Sequence, residues 1–223
     1  MFEHDAPYLE KSGGANNLIA NKYFDLLYAK NPKYTEQFLV EKCWKHYNLS
    51  IKGDSSVFSA FNNAGVIAFR YFQKPDLALG YFKRGISMQP DFPQAYENIG
   101  DCYYQMKNTD EAIVNYKKAI QQNPRQFNAT IRLATAYMDY KNYRDALRIL
   151  VRADTIFRGS YEVAEKTGTC YYLDNQKEKG IAKLEEAYSL QPDKNLAKVL
   201  AELCAKEGLK QKSEFYASRS AGN

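Results

Sequence analysis

In "QAYENIGDCYYQMKN", residues 94–108, Tyr96, Ile99, Gly100 and Tyr103 recur at steps of three, one and three. On a helix with 3.6 residues per turn this spacing gathers them into one stripe, with polar residues on the remaining surface. The following stretch, "TDEAIVNYKKAIQQNP", repeats the arrangement with Ala112, Ile113, Tyr116, Ala119 and Ile120. The pattern predicts two amphipathic helices joined by the turn "KNTDE". Thr109 is the expected N-cap of the second, with acidic residues following in its positive first turn. Pro124 has no N–H with which to continue a helix, and it closes the pair.

The same pattern returns along the chain. Gly65, Gly100, Ala134 and Gly168 follow one another at nearly equal steps, as do Ala78, Ala112, Ala146 and Gly180. Tyr103, Tyr137 and Tyr171 keep the interval, and so do Ala119, Ala153 and Ala187. Pro90, Pro124 and Pro192 close their units, with Arg158 in the remaining place. The period is 34 residues, the interval that separates Gly100, Ala134 and Gly168. Small residues recur where paired helices must cross, and large apolar ones fill the space beside them. A helical hairpin cannot bury its apolar stripe alone, so a fixed period of this length predicts a stack of hairpins.

At these residues the chain resembles the tetratricopeptide-repeat family, whose pattern sets an aromatic, Leu-Gly, Tyr, Ala, an aromatic, Ala and Pro at fixed offsets. Unit 93–126 follows it nearly throughout, with Tyr96, Ile99, Gly100, Tyr103, Ala112, Tyr116, Ala119 and Pro124. Unit 127–160 carries Leu133, Ala134, Tyr137, Ala146, Leu150 and Ala153 but lacks the proline. Unit 161–194 carries Gly168, Tyr171, Leu184, Ala187 and Pro192, with Gly180 in place of alanine. Unit 57–92 is looser, with Phe61, Gly65, Ala78, Phe82 and Pro90 and one extra residue near "QKPDL". The resemblance implies an all-α solenoid of stacked hairpins wound as a right-handed superhelix. Residues 195–223 read as two capping helices broken at Gly208, followed by a tail. Residues 1–56 read as one or two divergent repeats with a flexible start. There Ala20, Phe24, Leu27 and Pro32 echo a second helix, "YTEQFLVEKCWKHY" is amphipathic, and "NLSIKGDSS" reads as a loop.

Composition adds an ordinary soluble balance: 45% apolar and 26% charged residues, with a formal net charge of +5. The 31 basic residues are spread along the chain, and no dense run of them points to nucleic acid. A nucleic-acid surface would have to use Lys83, Arg84, Lys117, Lys118 and Arg152 on the second helices. No apolar run is long enough to span a bilayer, and "MFEHDAPYLEKSGG" lacks the apolar core of a signal peptide. These features predict a cytoplasmic protein, or a soluble domain of a larger exported or membrane protein.

Reactive residue types are present, but in packing positions. Cys102, Cys170 and Cys204 share one slot of the repeat, filled by Ala136 in the third unit. A slot taken by either Cys or Ala is a small buried position, and neighbouring slots lie too far apart for a disulfide. Cys43 and His46, at i and i+3, could pair as nucleophile and base or as half a metal site, yet lack an identifiable third partner. Trp44 and Tyr47 beside them favour helix packing. His4 stands apart near the start. "KSGGANN" lacks the Lys-Ser/Thr ending of a phosphate loop, and no hydrolase or zinc-protease motif occurs. The sequence therefore predicts no enzyme, no cofactor and no metal.

Residues between the packing positions of first helices remain. By the resemblance, first helices line a concave surface that holds a peptide or partner protein. The residues so placed are Asn62, Phe69 and Arg70; then Glu97, Asn98, Asp101 and Tyr104; then Arg132, Thr135 and Asp139; then Lys166 and Tyr172. Aromatic anchors among amides and charges suit an extended peptide or a partner helix. Some family members hold the carboxylate tails of chaperones with Lys, Asn, Asn, Lys and Arg. Asn98 and Arg132 match two of those positions, but Asn62, Val66 and Asn128 replace the others. Without both lysines the charge-assisted bonds are missing, which argues against chaperone tails. The expected function is a non-catalytic protein-interaction scaffold. The alternative is a regulatory or assembly module of a larger enzyme or envelope protein.

Overall fold

A computed structural model of the protein describes residues 12–54 and 56–221, and every regular element among them is an α-helix. The chain divides into two compact units, one ending at Pro124 and the other beginning at Arg125. The first unit holds α1 (Gly13–Tyr28), α2 (Glu36–Gly53), α3 (Phe58–Arg70), α4 (Pro75–Met88), α5 (Pro93–Gln105) and α6 (Thr109–Gln122). The second holds α7 (Phe127–Asp139), α8 (Tyr143–Ile156), α9 (Tyr161–Leu173), α10 (Lys177–Leu190), α11 (Lys194–Lys206) and α12 (Lys210–Ala221). Inside each unit every helix packs on the next in sequence, which makes three hairpins laid side by side.

The repeat fixes helix length. First helices α3, α5, α7, α9 and α11 each run 13 residues, and second helices α4, α6, α8 and α10 each run 14. The extra residue near "QKPDL" is absorbed in the α3–α4 turn, where Lys74 N–H bonds the Ala68 carbonyl at 3.0 Å. Prolines start α4 and α5, where a missing N–H costs nothing. Asn108, one residue earlier than expected, is the N-cap of α6: its side chain accepts from Glu111 N–H, and Thr109 is the first helical residue. Asn142 caps α8 in the same way.

Two expectations for the N-terminal part are corrected. α1 is not a second helix: it packs against α2 as the first arm of a hairpin, with Pro32 in the turn between them. The Cys43 thiol in α2 donates to the Ala20 carbonyl at 3.8 Å, so Ala20 marks a crossing inside this pair. Nor is "NLSIKGDSS" wholly a loop, because α2 continues through Gly53. Ser50 and Asp54 close over Gly13, where a Cβ would stand 2.4 Å from that of Asp54, and this contact with α1 holds the last turn helical. His4 lies outside the described residues.

The small residues stand where helices touch. A Cβ on Gly65 would lie 2.6 Å from Cε1 of Phe82, and one on Gly100 would lie 2.5 Å from Cε1 of Tyr116. In α9 and α10 the approach reaches backbone: a Cβ on Gly168 would lie 2.8 Å from the Leu184 nitrogen, and one on Gly180 would lie 2.7 Å from the Tyr172 nitrogen. Phe82, Tyr116, Leu150 and Leu184, one from each second helix, are fully buried. Burying such a side chain stabilises by roughly 1.5–3 kcal/mol, so the repeat positions carry the core.

Each first helix ends in one way. Gln73, Lys107, Lys141 and Asn175 have φ of 54°, 63°, 56° and 62°, and Gly208 has 73°. Asn108 N–H reaches back to the Tyr103 carbonyl at 2.8 Å, Asn142 to Tyr137 at 2.9 Å, Gln176 to Tyr171 at 2.9 Å and Leu209 to Cys204 at 2.8 Å. This left-handed closure satisfies the orphan carbonyls of a helix end. Only Gly208 supplies it with a glycine.

Candidate functional site

In the first unit, α3 and α5 present the face expected from the repeat. Asn62, Phe69, Glu97, Asn98 and Tyr104 are half-exposed there, and Arg70 is exposed. Asn62 donates to Asn63 at 3.1 Å. Phe69 and Phe24 of α1 lean on a core cluster around Val66. Arg70 donates to the Tyr28 hydroxyl at 3.0 Å with its guanidinium 5.9 Å from that ring, so α1 positions it. Asp101 is buried and accepts from the Tyr116 hydroxyl at 2.8 Å, which ties α5 to α6. Of the residues expected on this face, Asp101 therefore has an evident structural role.

In the second unit, α7 carries Arg132 and Asp139 exposed and Thr135 half-exposed, the last donating to the Ile131 carbonyl at 3.0 Å. On α9, Lys166 is half-exposed, and burial raises the pKa of neighbouring Glu165 above the ordinary carboxylate range. Tyr172 is also half-exposed, but its hydroxyl donates to Glu207 at 2.9 Å. Lys177 meets the same carboxylate at 2.9 Å. These hydrogen bonds, from Lys177 first and then Tyr172, hold Glu207 below its usual pKa. A second clasp lies beside it: Lys212 pairs with Glu185 at 2.8 Å, and the Tyr216 hydroxyl reaches Glu185 at 3.4 Å. Together the two clasps fasten α11 and α12 to α9 and α10.

The thiols belong to the core. Cys43, Cys102, Cys170 and Cys204 are all buried and unbridged. Desolvation pushes the thiol pKa to about 12 at Cys43 and Cys102 and about 11 at Cys170, so thiolate, the reactive form, is suppressed. The His46 ring meets Asn16 Oδ1 at 2.9 Å and stacks 6.0 Å from Tyr23, which is helix packing across the α1–α2 seam. Beside it, the buried Tyr47 hydroxyl donates to Asn21 at 2.9 Å and accepts from Asn63 at 3.1 Å, tying α1, α2 and α3 together. Sequence reading did not find this network, whose partners lie up to 42 residues apart. Its one signal was the unusual run of asparagines in α1 and α3. On second helices, the Lys83 and Lys118 ammonium groups lie 5.4 and 5.7 Å from the Tyr103 and Tyr96 ring centres. Their stems cover tyrosines of α5 as well as facing water.

Equal hairpins with glycine crossings and left-handed closures define a class: all-α repeat proteins built from stacked helix–turn–helix units. The family profile for the tetratricopeptide repeat matches residues 93–126. The solved structure of PilW, described as a widely conserved type IV pilus biogenesis factor, superposes with a TM-score of 0.75 at 14% identity, covering 93% of each chain. That of YrrB, described as a TPR protein with an unusual peptide-binding site, gives 0.66 at 18% identity, over 83% of this chain and 90% of that one. The BBSome complex member BBS4 homolog of Drosophila melanogaster is 24% identical over 115 residues, 52% of this chain and 24% of the relative. This chain thus matches about a quarter of that relative's length. The chain thus carries a tetratricopeptide repeat at residues 93–126 and has the fold of tetratricopeptide-repeat proteins. No described helix is long and apolar enough to cross a membrane.

Proposed function

We propose that the protein is a non-catalytic scaffold that receives a peptide or a segment of a partner protein on its first-helix face. The tetratricopeptide fold is consistent with a protein-interaction scaffold. The observation that carries the finer reading is chemical. On α3, α5, α7 and α9, half-exposed amides, aromatics and charges occupy the positions between packing residues, while the potentially nucleophilic thiols are buried. An aromatic ring with neighbouring carboxamides suits a peptide, whose main chain needs hydrogen-bond partners and whose side chains need apolar contact. In the first unit Asn98 and Tyr104 fill these roles, and in the second Arg132 and Lys166 favour an acidic stretch. Carboxylate tails of chaperones are not the proposed ligand, because the lysines that would hold them are absent.

The test is affinity capture from native lysate with the wild-type chain, a Tyr104→Ala variant and an Arg132→Glu variant. A partner retained by the wild type should be lost or strongly reduced with at least one variant, while helix content and Tm stay unchanged. Equal capture by all three would move the site off this face. A second reading, an assembly module in a multi-protein complex, is supported by the descriptions of PilW and of the fly relative. It predicts elution within one stoichiometric complex. Either role fits the cytoplasm or a soluble part of an exported or membrane protein.

A further inference from the structure

We propose that a cleft on the turn edge of the first unit, outside the first-helix face, is a docking point for a basic segment of a partner polypeptide. The cleft lies between the start of α2 and the end of α3, encloses about 340 Å³, and is lined by Glu36, Gln37, Val40, Glu41, Tyr71 and Phe72. That lining holds two carboxylates, two aromatic rings and no cation. The Glu41 carboxylate accepts from Gln37 at 3.0 Å, which sets its position on the helix. Glu36 and Tyr71 face the same cleft, and burial, then the Glu36 charge, raise the Tyr71 phenol pKa while Arg70 at the end of α3 opposes them. Carboxylates beside aromatic faces are what an ammonium or guanidinium group recognises, through ion pairing and cation–π attraction together.

A second cleft of about 350 Å³ adjoins the first and shares Glu36. Its floor is Leu27 and Leu39, both buried, and its wall includes Pro32 and Tyr34 with Lys30 as its one cation, so the apolar neighbour rather than the incoming cation belongs in this cleft. The pair therefore fits a segment in which an arginine or lysine stands beside an apolar side chain: the cation enters the aromatic–acidic cleft and its neighbour covers the leucines. The geometry includes its own reporter. Trp44, the one tryptophan of the chain, packs edge-on against Phe72 with ring centres 5.0 Å apart. A cation held against Phe72 changes the surroundings of that indole.

The full chain, excited at Trp44, is titrated with two end-capped octapeptides, one alternating arginine with leucine and the other glutamate with leucine. The arginine peptide is expected to change the fluorescence saturably. Glu36→Gln combined with Glu41→Gln should weaken its binding about tenfold, as removal of charge-assisted contacts does. Tyr104→Ala should leave it within about twofold, since that ring lines neither cleft; this separates the cleft from the first-helix face. No saturable change, equal binding of both peptides, tighter binding of the glutamate peptide, or equal affinity in the double variant would each overturn the proposal.

Discussion

A Cβ on Gly100 would stand 2.5 Å from a Tyr116 ring carbon, whereas one on Gly80 would meet nothing within 4 Å. The same residue type thus has opposite consequences in neighbouring helices of one unit. Gly100→Leu forces the α5–α6 crossing apart and should cost about 1–3 kcal/mol by overpacking, lowering Tm by roughly 2–10 °C. Gly80→Ala lies on an exposed helix surface, where removing glycine's freedom in the unfolded chain should stabilise by about 0.5–1 kcal/mol. Thermal melts of the two variants check both signs, and an unchanged Tm for Gly100→Leu would refute the packing role of this position. At the thiols, single-residue chemistry agrees with the repeat: an alanine fills the cysteine slot in α7, and the three cysteines that share that slot are buried.

At the scale of the element, the terminal hairpin α11–α12 is fastened through carboxylates, so acid should loosen it. Glu207 has a folded pKa below its ordinary value of about 4.5. Its contribution is therefore complete above that pH and is lost as pH falls through the lower, folded value. Hydrogen exchange of α11 and α12 should accelerate below about pH 4.5 before that of α9, and Glu207→Gln should abolish most of this pH dependence. Identical pH profiles for wild type and variant would remove Glu207 from that role. The turns make a separate prediction. Lys107 holds a left-handed conformation that costs a non-glycine residue about 1–2 kcal/mol, part of which glycine returns as backbone entropy. Lys107→Gly should raise stability by about 0.5–1 kcal/mol, and Gly208→Ala should lower it by a similar amount, both read from denaturant midpoints.

For the whole molecule, the period was legible because packing repeats: Gly65, Gly100 and Gly168 each face a large residue of the next helix, and the residue types record that. Less legible was whatever depends on distant partners. The length of α2 is set by the closure of Ser50 and Asp54 over Gly13, and neither "NLSIKG" nor "KSGG" contains that contact. The closures at Gln73, Lys107, Lys141 and Asn175 escaped notice because the usual marker, glycine, is absent there. Residues of the first-helix face could be placed by offset, but not their engagements, since Arg70, Asp101 and Tyr172 meet partners 42, 15 and 35 residues away. Those closures bear on evolvability. The side chains at these closures are exposed and are neither the buried crossing residues nor those placed on the first-helix face, so a change at one of them removes none of either set. A lineage that replaced Lys107 or Lys141 with glycine would gain a margin against unfolding. Within that margin, new side chains on the first-helix face could accumulate and specificity could drift while the hairpins stayed folded.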